Sequence, residues 1–323
     1  MELLKKLTQT FGPSGNEEKV RDVIISEAER YADEISRDTL GNLIVRKKGN
    51  GKKLMLSAHM DEIGIMAMVL DEKKFVHFSA IGGVKAEALQ FGKVEFENGT
   101  IGIVNKKVEK PNKIADYYID DMNDCKGYKL YSISVGDAAV MRGGFDICGD
   151  LVSSKALDDR VGCYVLLETL KRIQNNDNDL YFVFTVQEEL GLRGAKTAAA
   201  GINPDYAIAV DVTTCDDFPG GGKYPLKLGE GPAIKIKDSS VICHPLVKKH
   251  LVNAADKHGI KVQFEVLDAG GTDAGAIHTS GTGVATGAVS IPTRYIHTAC
   301  ETASISDINS AVDLLTAACE EAL

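Results

Sequence analysis

The sequence predicts an α/β protein that contains a small inserted all-β domain. Strand and helix patterns alternate after residue 153, which implies a parallel or mixed sheet covered by helices. Residues 69–152 instead carry alternating apolar and polar runs, many glycines and no convincing amphipathic helix, as in an all-β domain. We therefore assign residues 1–68 and 153–323 to the α/β domain and residues 69–152 to the insert.

The individual elements follow from local patterns along the chain. A turn at residues 12–15 precedes a helix over residues 16–31, and Ser14 and Glu17 have the spacing of a capping box. Further helices are predicted over residues 160–172, 244–258 and 306–319. Strands of the α/β domain are predicted over residues 42–46, 54–58, 180–186, 206–212, 262–267 and 284–290, and strands of the insert over residues 74–78, 93–96 and 100–104.

Composition and charge exclude several functional classes. The 323 residues are 44% hydrophobic and 26% charged, as in ordinary folded proteins. A net charge of −9 argues against nucleic acid as the main partner, because that role needs a basic surface. No apolar run approaches the length of a membrane span, and the first residues lack the apolar core of a signal peptide. Seven cysteines without a CxxC pair favour reduced thiols and a cytoplasmic location.

A histidine and an aspartate follow the predicted strand 54–58 at a spacing of two residues. In an extended segment His59 and Asp61 face the same side, so Asp61 can accept a hydrogen bond from the imidazole. A carboxylate behind a histidine fixes its tautomer and strengthens it as a metal ligand. Taken alone, this pair is more often a structural histidine with a satisfied ring.

Paired carboxylates occur at two further places. Asp158 and Asp159 directly precede a predicted helix, where one can cap the helix and the other can point elsewhere. Glu188 and Glu189 follow the end of the apolar strand 180–186. Two adjacent carboxylates at a buried strand end repel each other, and either a cation or a raised pKa on one of them relieves that repulsion.

Two more polar residues lie at strand ends of the same domain. Asp211 closes an apolar strand, where a carboxylate is costly unless it is paired or bound to metal, and His297 follows strand 284–290. Imidazoles and carboxylates without thiolates are a typical ligand set for catalytic zinc or a similar divalent ion. The inventory suffices for two metals that share a carboxylate, with one further carboxylate free to act on water.

At this level of detail the sequence resembles a known family, the tetrahedral, glutamyl-aminopeptidase-like group of co-catalytic dinuclear metallo-aminopeptidases. The resemblance implies an α/β/α zinc-peptidase domain, a dimerisation role for the inserted β domain, and dimers that assemble into a dodecamer. It is carried by motifs in family order: AHMDEIG (58–64), KALDDR (155–160), QEELGLRGA (187–195), AVDVT (209–213), GGTDAGAIH (270–278) and YIHT (295–298).

The same resemblance implies roles for individual residues. It implies two divalent ions, zinc or cobalt, with Asp158 shared between them. Asp61 would orient a histidine ligand, and Glu188 would be the general base that activates a water between the metals. The implied ligands are His59, Asp158 and Asp211 for one ion, and Asp158, Glu189 and His297 for the other.

We therefore predict an aminopeptidase that hydrolyses N-terminal residues from short peptides. The turn of Gly271, Thr272 and Asp273 precedes a predicted helix; it either contacts substrate, through free backbone N–H groups, or is a glycine turn with an aspartate cap.

Three other functions stay open at this stage. A related co-catalytic zinc enzyme could remove acyl groups or C-terminal residues, because the same metal layout serves those reactions. A glycoside hydrolase would use Glu188 and a second carboxylate as an acid–base pair, and some members of the family have carried cellulase labels. A non-catalytic assembly protein would leave the predicted ligand set without a role.

Overall fold

The chain builds two β structures, a large open sheet and a small closed barrel. A computed structural model describes residues 1–72, 75–121 and 133–322. Its helices are α1 (Glu2–Gln9), α2 (Glu18–Ala28), α3 (Ala86–Leu89), α4 (Leu157–Arg172), α5 (Arg193–Ile202), α6 (Pro245–His258), α7 (Asp273–Ile277) and α8 (Ile305–Glu320). The first strands are β1 (Glu34–Arg37), β2 (Leu43–Lys47), β3 (Lys53–His59), β4 (Gly64–Leu70), β5 (Val76–Ile81), β6 (Lys93–Phe96), β7 (Ile101–Lys106), β8 (Tyr117–Asp121) and β9 (Ala138–Met141). The remaining strands are β10 (Phe145–Cys148), β11 (Leu151–Ser154), β12 (Asp179–Thr185), β13 (Tyr206–Thr214), β14 (Ala233–Lys237), β15 (Gln263–Val266), β16 (Ala285–Arg294) and β17 (Glu301–Ser304).

The large sheet has a parallel centre with antiparallel flanks. Its strand order is β1-β2-β12-β3-β13-β16-β17-β11-β10, and β14 pairs with both β16 and β15. The central strands β12, β3, β13 and β16 run parallel to their neighbours in that group. Because parallel strands end at the same edge, residues that follow them are brought together at the carboxyl edge of the sheet.

Helices cover both faces of this sheet. The larger core lies on one face, where apolar side chains of α1, α2, α4, α6 and α8 pack against the central strands. A smaller core on the other face joins α5 and α7 to side chains of β3, β12 and β13. Strands buried on both faces are expected where helices cover a parallel sheet, and β3, β12 and β13 are buried along almost their whole length. The predicted fold class, a mixed-sheet α/β/α domain with an inserted all-β domain, is confirmed.

The barrel closes in the order β4-β5-β8-β7-β6-β9, with each neighbouring pair antiparallel. It encloses its own apolar core, which includes Ile65, Phe78 and Val104. Strand β4 of the barrel begins at Gly64, whereas β10 and β11 pair within the large sheet. The exact domain division therefore stays a proposal, and strand pairing favours an insert that starts near residue 64 and ends near residue 142.

The predicted capping box at the start of α2 is wrong. The helix begins at Glu18 without a side-chain cap. The Ser14 hydroxyl instead donates a hydrogen bond to Asp61 at 2.6 Å. Glu17 accepts hydrogen bonds from the backbone N–H groups of Gly15 and Gln187. Neither side chain caps the helix, because each hydrogen-bonds to a residue that follows a strand end at the carboxyl edge of the sheet.

None of the described helices is long and apolar enough to cross a membrane. The six described cysteines are unpaired thiols. Cys125, and Lys74 at the start of a predicted strand, lie outside the described residues. Helix α5 and strands β14 and β17 are elements that the local sequence patterns did not predict.

Candidate metal centre

Four chain segments bring polar side chains to the carboxyl edge of the sheet. Strand β3 ends at His59, and Asp211 lies near the end of β13. The segment after β12 supplies Glu188 and Glu189, and the segment after β16 supplies His297. The predicted ligands are therefore brought together because central parallel strands terminate side by side.

The first candidate ligand group contains His59, Asp158 and Asp211. Their ligand atoms lie within 4.8 Å of one another. Nε2 of His59 lies 3.0 Å from Oδ1 of Asp158 and 3.9 Å from Oδ1 of Asp211. All three residues are buried.

The second group contains Asp158, Glu189 and His297, again with ligand atoms within 4.8 Å of one another. Nε2 of His297 lies 3.1 Å from Oδ2 of Asp158 and 3.2 Å from Oε1 of Glu189. Asp158 thus turns one carboxylate oxygen toward each histidine. Below, the two sets are called the first and second triads.

Backbone carbonyls orient both histidine rings. Nδ1 of His59 lies 3.0 Å from the Asp61 carbonyl oxygen, and Nδ1 of His297 lies 2.9 Å from the Gly83 carbonyl oxygen. Since a carbonyl oxygen can only accept, each Nδ1 carries the proton and each Nε2 faces the carboxylates. This is the arrangement in which outer partners prepare a histidine to bind metal.

Asp61 acts mainly on the glutamate segment. Its carboxylate accepts hydrogen bonds from the backbone N–H of Glu188 at 3.0 Å and of Glu189 at 3.2 Å. Its Oδ1 is 3.5 Å from Nδ1 of His59, farther than its own carbonyl oxygen. The predicted orienting role toward His59 therefore runs chiefly through the Asp61 backbone, while the carboxylate fixes the two glutamates.

The paired aspartates divide two tasks between them. Asp159 accepts hydrogen bonds from the backbone N–H of Gly162 at 3.0 Å and of His59 at 3.1 Å, so it braces the start of α4 and the end of β3. Asp158 points to both histidines instead.

Glu301 supports both triads, although no motif identified it. Its carboxylate accepts hydrogen bonds from the backbone N–H of Asp158 at 2.9 Å and of His297 at 2.8 Å. These residues are 143 and 4 positions away along the chain. The only local signal is a glutamate four residues after a candidate histidine ligand.

The electrostatics of the site are dominated by buried carboxylates that crowd around two histidines. Burial raises the pKa of Glu188 well above its usual range, and Asp211 and Asp273 add repulsion. Burial likewise raises the pKa of Asp211. Burial alone would lower the pKa of His297, but hydrogen bonds to Asp158 and Glu189 raise it to about 11. Burial would raise the pKa of Asp158, yet the two histidines hold it well below its usual range.

These donors fit divalent metal ions. In each triad one imidazole nitrogen and two carboxylates lie close together, which suits zinc and related ions. Oε1 of Glu189 is buried, and its contact with Nε2 of His297 at 3.2 Å joins two candidate ligand atoms that a metal ion between them would bind instead. A cation in each triad would satisfy that oxygen and relieve the repulsion among the carboxylates.

A cavity of about 650 Å³ opens onto the triads and Glu188. Gly271 and Thr272, two of the predicted substrate-contact residues, line it. Asp273 does not line it: its buried carboxylate accepts a hydrogen bond from the Thr185 hydroxyl at 2.7 Å. The alternative interpretation of this turn, with an aspartate cap for α7, does not hold, because Thr272 is the N-cap residue and accepts from the Ala274 N–H.

An α/β fold with imidazoles and carboxylates clustered at its carboxyl edge is the arrangement expected of a metal-dependent hydrolase. The chain belongs to the M42 glutamyl aminopeptidase family, whose model matches residues 41–314. The chain is therefore an aminopeptidase of this family, whose members depend on metal, and the predicted family resemblance is confirmed.

Three similar proteins extend this comparison. A protein of Acetivibrio thermocellus, provisionally named an aminopeptidase, is 51% identical over 97% of this chain and 96% of its own length. The structure of aminopeptidase APDkam598 from Desulfurococcus kamchatkensis is 38% identical, with a TM-score of 0.95 over 99% of this chain and 94% of that one. The TET1 peptidase of Pyrococcus horikoshii, described as assembling into a tetrahedron or a large octahedral shell, is 34% identical, with a TM-score of 0.88 over 99% of both chains.

Proposed function

We propose that this protein is a dinuclear metal-dependent aminopeptidase that removes N-terminal residues from short peptides. The observation that carries the proposal is the position of Asp158 between two histidines, with one carboxylate oxygen toward each. A carboxylate placed in this way could be shared by two neighbouring metal ions.

The ions would be zinc or cobalt, since the donors are imidazole nitrogens and carboxylate oxygens. His59, Asp158 and Asp211 would hold one, and Asp158, Glu189 and His297 would hold the other. When bound, such ions lower the pKa of a water molecule and polarise the scissile carbonyl group.

Glu188 is the proposed general base. It belongs to neither triad, but its Oε2 lies 3.9 Å from Nε2 of His59 and its side chain lines the cavity. The side chain is 12% exposed, and burial raises its pKa, in the direction that suits a carboxyl group that both takes and returns a proton. Glu188 would remove a proton from the attacking water and deliver it to the departing amine.

Asp61 holds this base in place. Its carboxylate binds the backbone N–H of Glu188 and of Glu189, so the base and one ligand share an anchor. The anionic side chains around the triads also attract the free α-amino group that an exopeptidase must select. A cavity of about 650 Å³ has room for a few residues of a peptide, which supports short substrates.

The proposal includes self-association. We expect the barrel to mediate dimers and the dimers to form a dodecamer, in line with the tetrahedral assembly described for the similar Pyrococcus horikoshii peptidase. We also retain the cytoplasmic location predicted from the cysteines as part of the proposal.

Hydrolysis of an aminoacyl-p-nitroanilide panel tests this function. The wild-type protein should cleave substrates with a free α-amine, lose activity on chelation and regain it with zinc or cobalt. Replacement of the base, Glu188→Gln, should leave the metal content unchanged and lower the rate about 10²- to 10⁴-fold. Glu29→Gln, an exposed glutamate remote from the site, is the matched control.

Several outcomes would overturn the proposal. Activity that survives verified metal removal would refute metal dependence, and normal turnover by Glu188→Gln would refute the base. Cleavage of N-acylated amino acids, of C-terminal residues or of β-glucans, with free-amine substrates untouched, would replace the aminopeptidase by one of those hydrolases.

A further inference from the structure

The barrel reaches the candidate active site through the loop between β5 and α3. This loop, residues 82–85, contacts a ligand of the second triad directly. The Gly83 carbonyl accepts the hydrogen bond from Nδ1 of His297 at 2.9 Å. A Cβ atom on Gly83 would lie 2.7 Å from two ring atoms of the same histidine, so the backbone is packed against the ring.

Lys85, two residues farther along, extends into the catalytic cavity. It lines that cavity together with His297 and Glu189. Its Nζ donates a hydrogen bond to the Ile296 carbonyl at 2.7 Å. The ammonium group therefore lies beside the backbone of the residue that precedes His297. The Gly83 contact fixes the start of the loop, and the Ile296 contact fixes the end of the side chain.

The charge of Lys85 is not balanced within the described part of the chain. No carboxylate oxygen of the described residues forms an ion pair with its Nζ within 4.0 Å. Lys235, the other lysine of the cavity wall, is 2% exposed and paired with Glu265 at 2.8 Å. Lys85 is exposed, so its ammonium remains available to an anionic group in the cavity.

A short peptide brings one such group. Its α-amine is a cation that suits the anionic side of the site, and its C-terminal carboxylate is an anion a few residues away. We propose that Lys85 binds the C-terminal carboxylate of short peptide substrates. This role rests on the proposed aminopeptidase function, and it makes the barrel a contributor to substrate selection.

The role has a clear consequence for substrate preference. Peptides that end in a free carboxylate should be preferred to the same peptides with a C-terminal amide. The preference should be greatest at one peptide length, where the carboxylate reaches Nζ of Lys85, and should fade in longer peptides. Because a hydrogen bond between two charged groups is stronger than one between neutral groups, a preference of about tenfold is expected.

The test compares di-, tri- and tetrapeptides with a leucine N-terminus, each as acid and as amide. Values of kcat/KM are measured for the wild type, for Lys85→Met and for Lys93→Met, an exposed barrel lysine, as the control. Lys85→Met should lower kcat/KM for the preferred acid about tenfold, mainly through KM, and leave the amide within about twofold. Lys93→Met should behave as wild type.

The outcomes separate this inference from the underlying function. If the wild type cleaves acids and amides with a free α-amine at equal rates, and Lys85→Met is unaffected, the role of Lys85 is overturned. The aminopeptidase function is retained in that case. An equal loss for acids and amides in Lys85→Met also overturns the role of Lys85, because the ammonium would then act elsewhere. Wild-type protein that cleaves neither series overturns the aminopeptidase proposal itself.

Discussion

Glu301 controls the backbone at two candidate metal ligands at once. One carboxylate oxygen accepts from the N–H of Asp158 and the other accepts from the N–H of His297. A single buried side chain therefore fixes the backbone of both candidate ligands, although they belong to different parts of the chain. Partners of this kind commonly alter metal affinity 10- to 100-fold when they are replaced.

The variant Glu301→Gln tests this arrangement. The amide keeps one acceptor oxygen but turns an N–H₂ group toward the other backbone N–H, so one of the two bonds is lost. We expect the metal affinity of Glu301→Gln to fall about tenfold and that of Glu301→Ala to fall further. Competition with a chelating dye measures the affinity, and the melting temperature of the metal-free protein serves as the control for folding. Unchanged affinity in both variants would show that Glu301 has no positioning role.

Local sequence patterns point to the candidate ligands but not to the residues that support them. His59 follows an apolar strand, and Glu188 follows another, so local pattern alone places them at strand ends. Glu301 and Gly83 act on residues up to 214 positions away, and no periodicity encodes such a contact. The capping box predicted at Ser14 is wrong because its hydroxyl has two suitable partners, a helix end nearby and Asp61 across the fold.

At the scale of elements, the loop of residues 82–85 connects the barrel to the segment after β16 of the large sheet, and it is called the joint below. Local patterns predicted neither the short helix α3 nor this contact, because glycines and a four-residue helix carry little periodic signal. The central strands, by contrast, were predictable from continuous apolar runs such as β3 and β13. Burial on both faces leaves a strong local signature, whereas a loop that packs through its backbone leaves almost none.

The variant Gly83→Ala tests the joint. The new methyl group would meet the His297 ring at 2.7 Å, so the ring or the loop has to shift. We expect the affinity of the second triad for metal to fall about tenfold and that of the first triad to change little. Metal stoichiometry and affinity are measured by titration against a chelator.

Gly201→Ala is the matched control, because a Cβ at that position meets no atom within 4 Å. Equal metal binding by Gly83→Ala and Gly201→Ala would contradict the proposed joint. A large fall in the melting temperature of metal-free Gly83→Ala alone would show a general disruption in place of a local one.

At the scale of the whole molecule, the barrel carries a group of exposed apolar side chains. Met68, Val69 and Val135 are 53%, 52% and 69% exposed. They are neighbours, because the N–H of Gly136 donates to the Ala67 carbonyl at 2.9 Å. Exposed apolar side chains that adjoin one another are a common mark of a subunit interface, which suits the proposed dimerisation role.

The double variant Met68→Glu with Val135→Glu tests this surface. Because two buried carboxylates would oppose dimer formation, we expect a particle much smaller than the dodecamer, whose mass would be about twelve times 34.7 kDa. Mass photometry or light scattering measures the change, and Lys93→Glu controls for added negative charge on another part of the barrel. Particles of wild-type size from the double variant would exclude this surface.

The contact of the Gly83 carbonyl with His297 also limits how far this enzyme can be treated as modular. Excising the barrel and joining the flanking strands would remove one carbonyl and one ammonium group from the surroundings of the candidate metal centre. A miniature enzyme would need replacements for both, however well the linker bridged the gap. Residues 82–85 and 295–298 thus form one structural unit that is split across the chain, and we expect a barrel exchanged between homologues to work best when both segments are exchanged together.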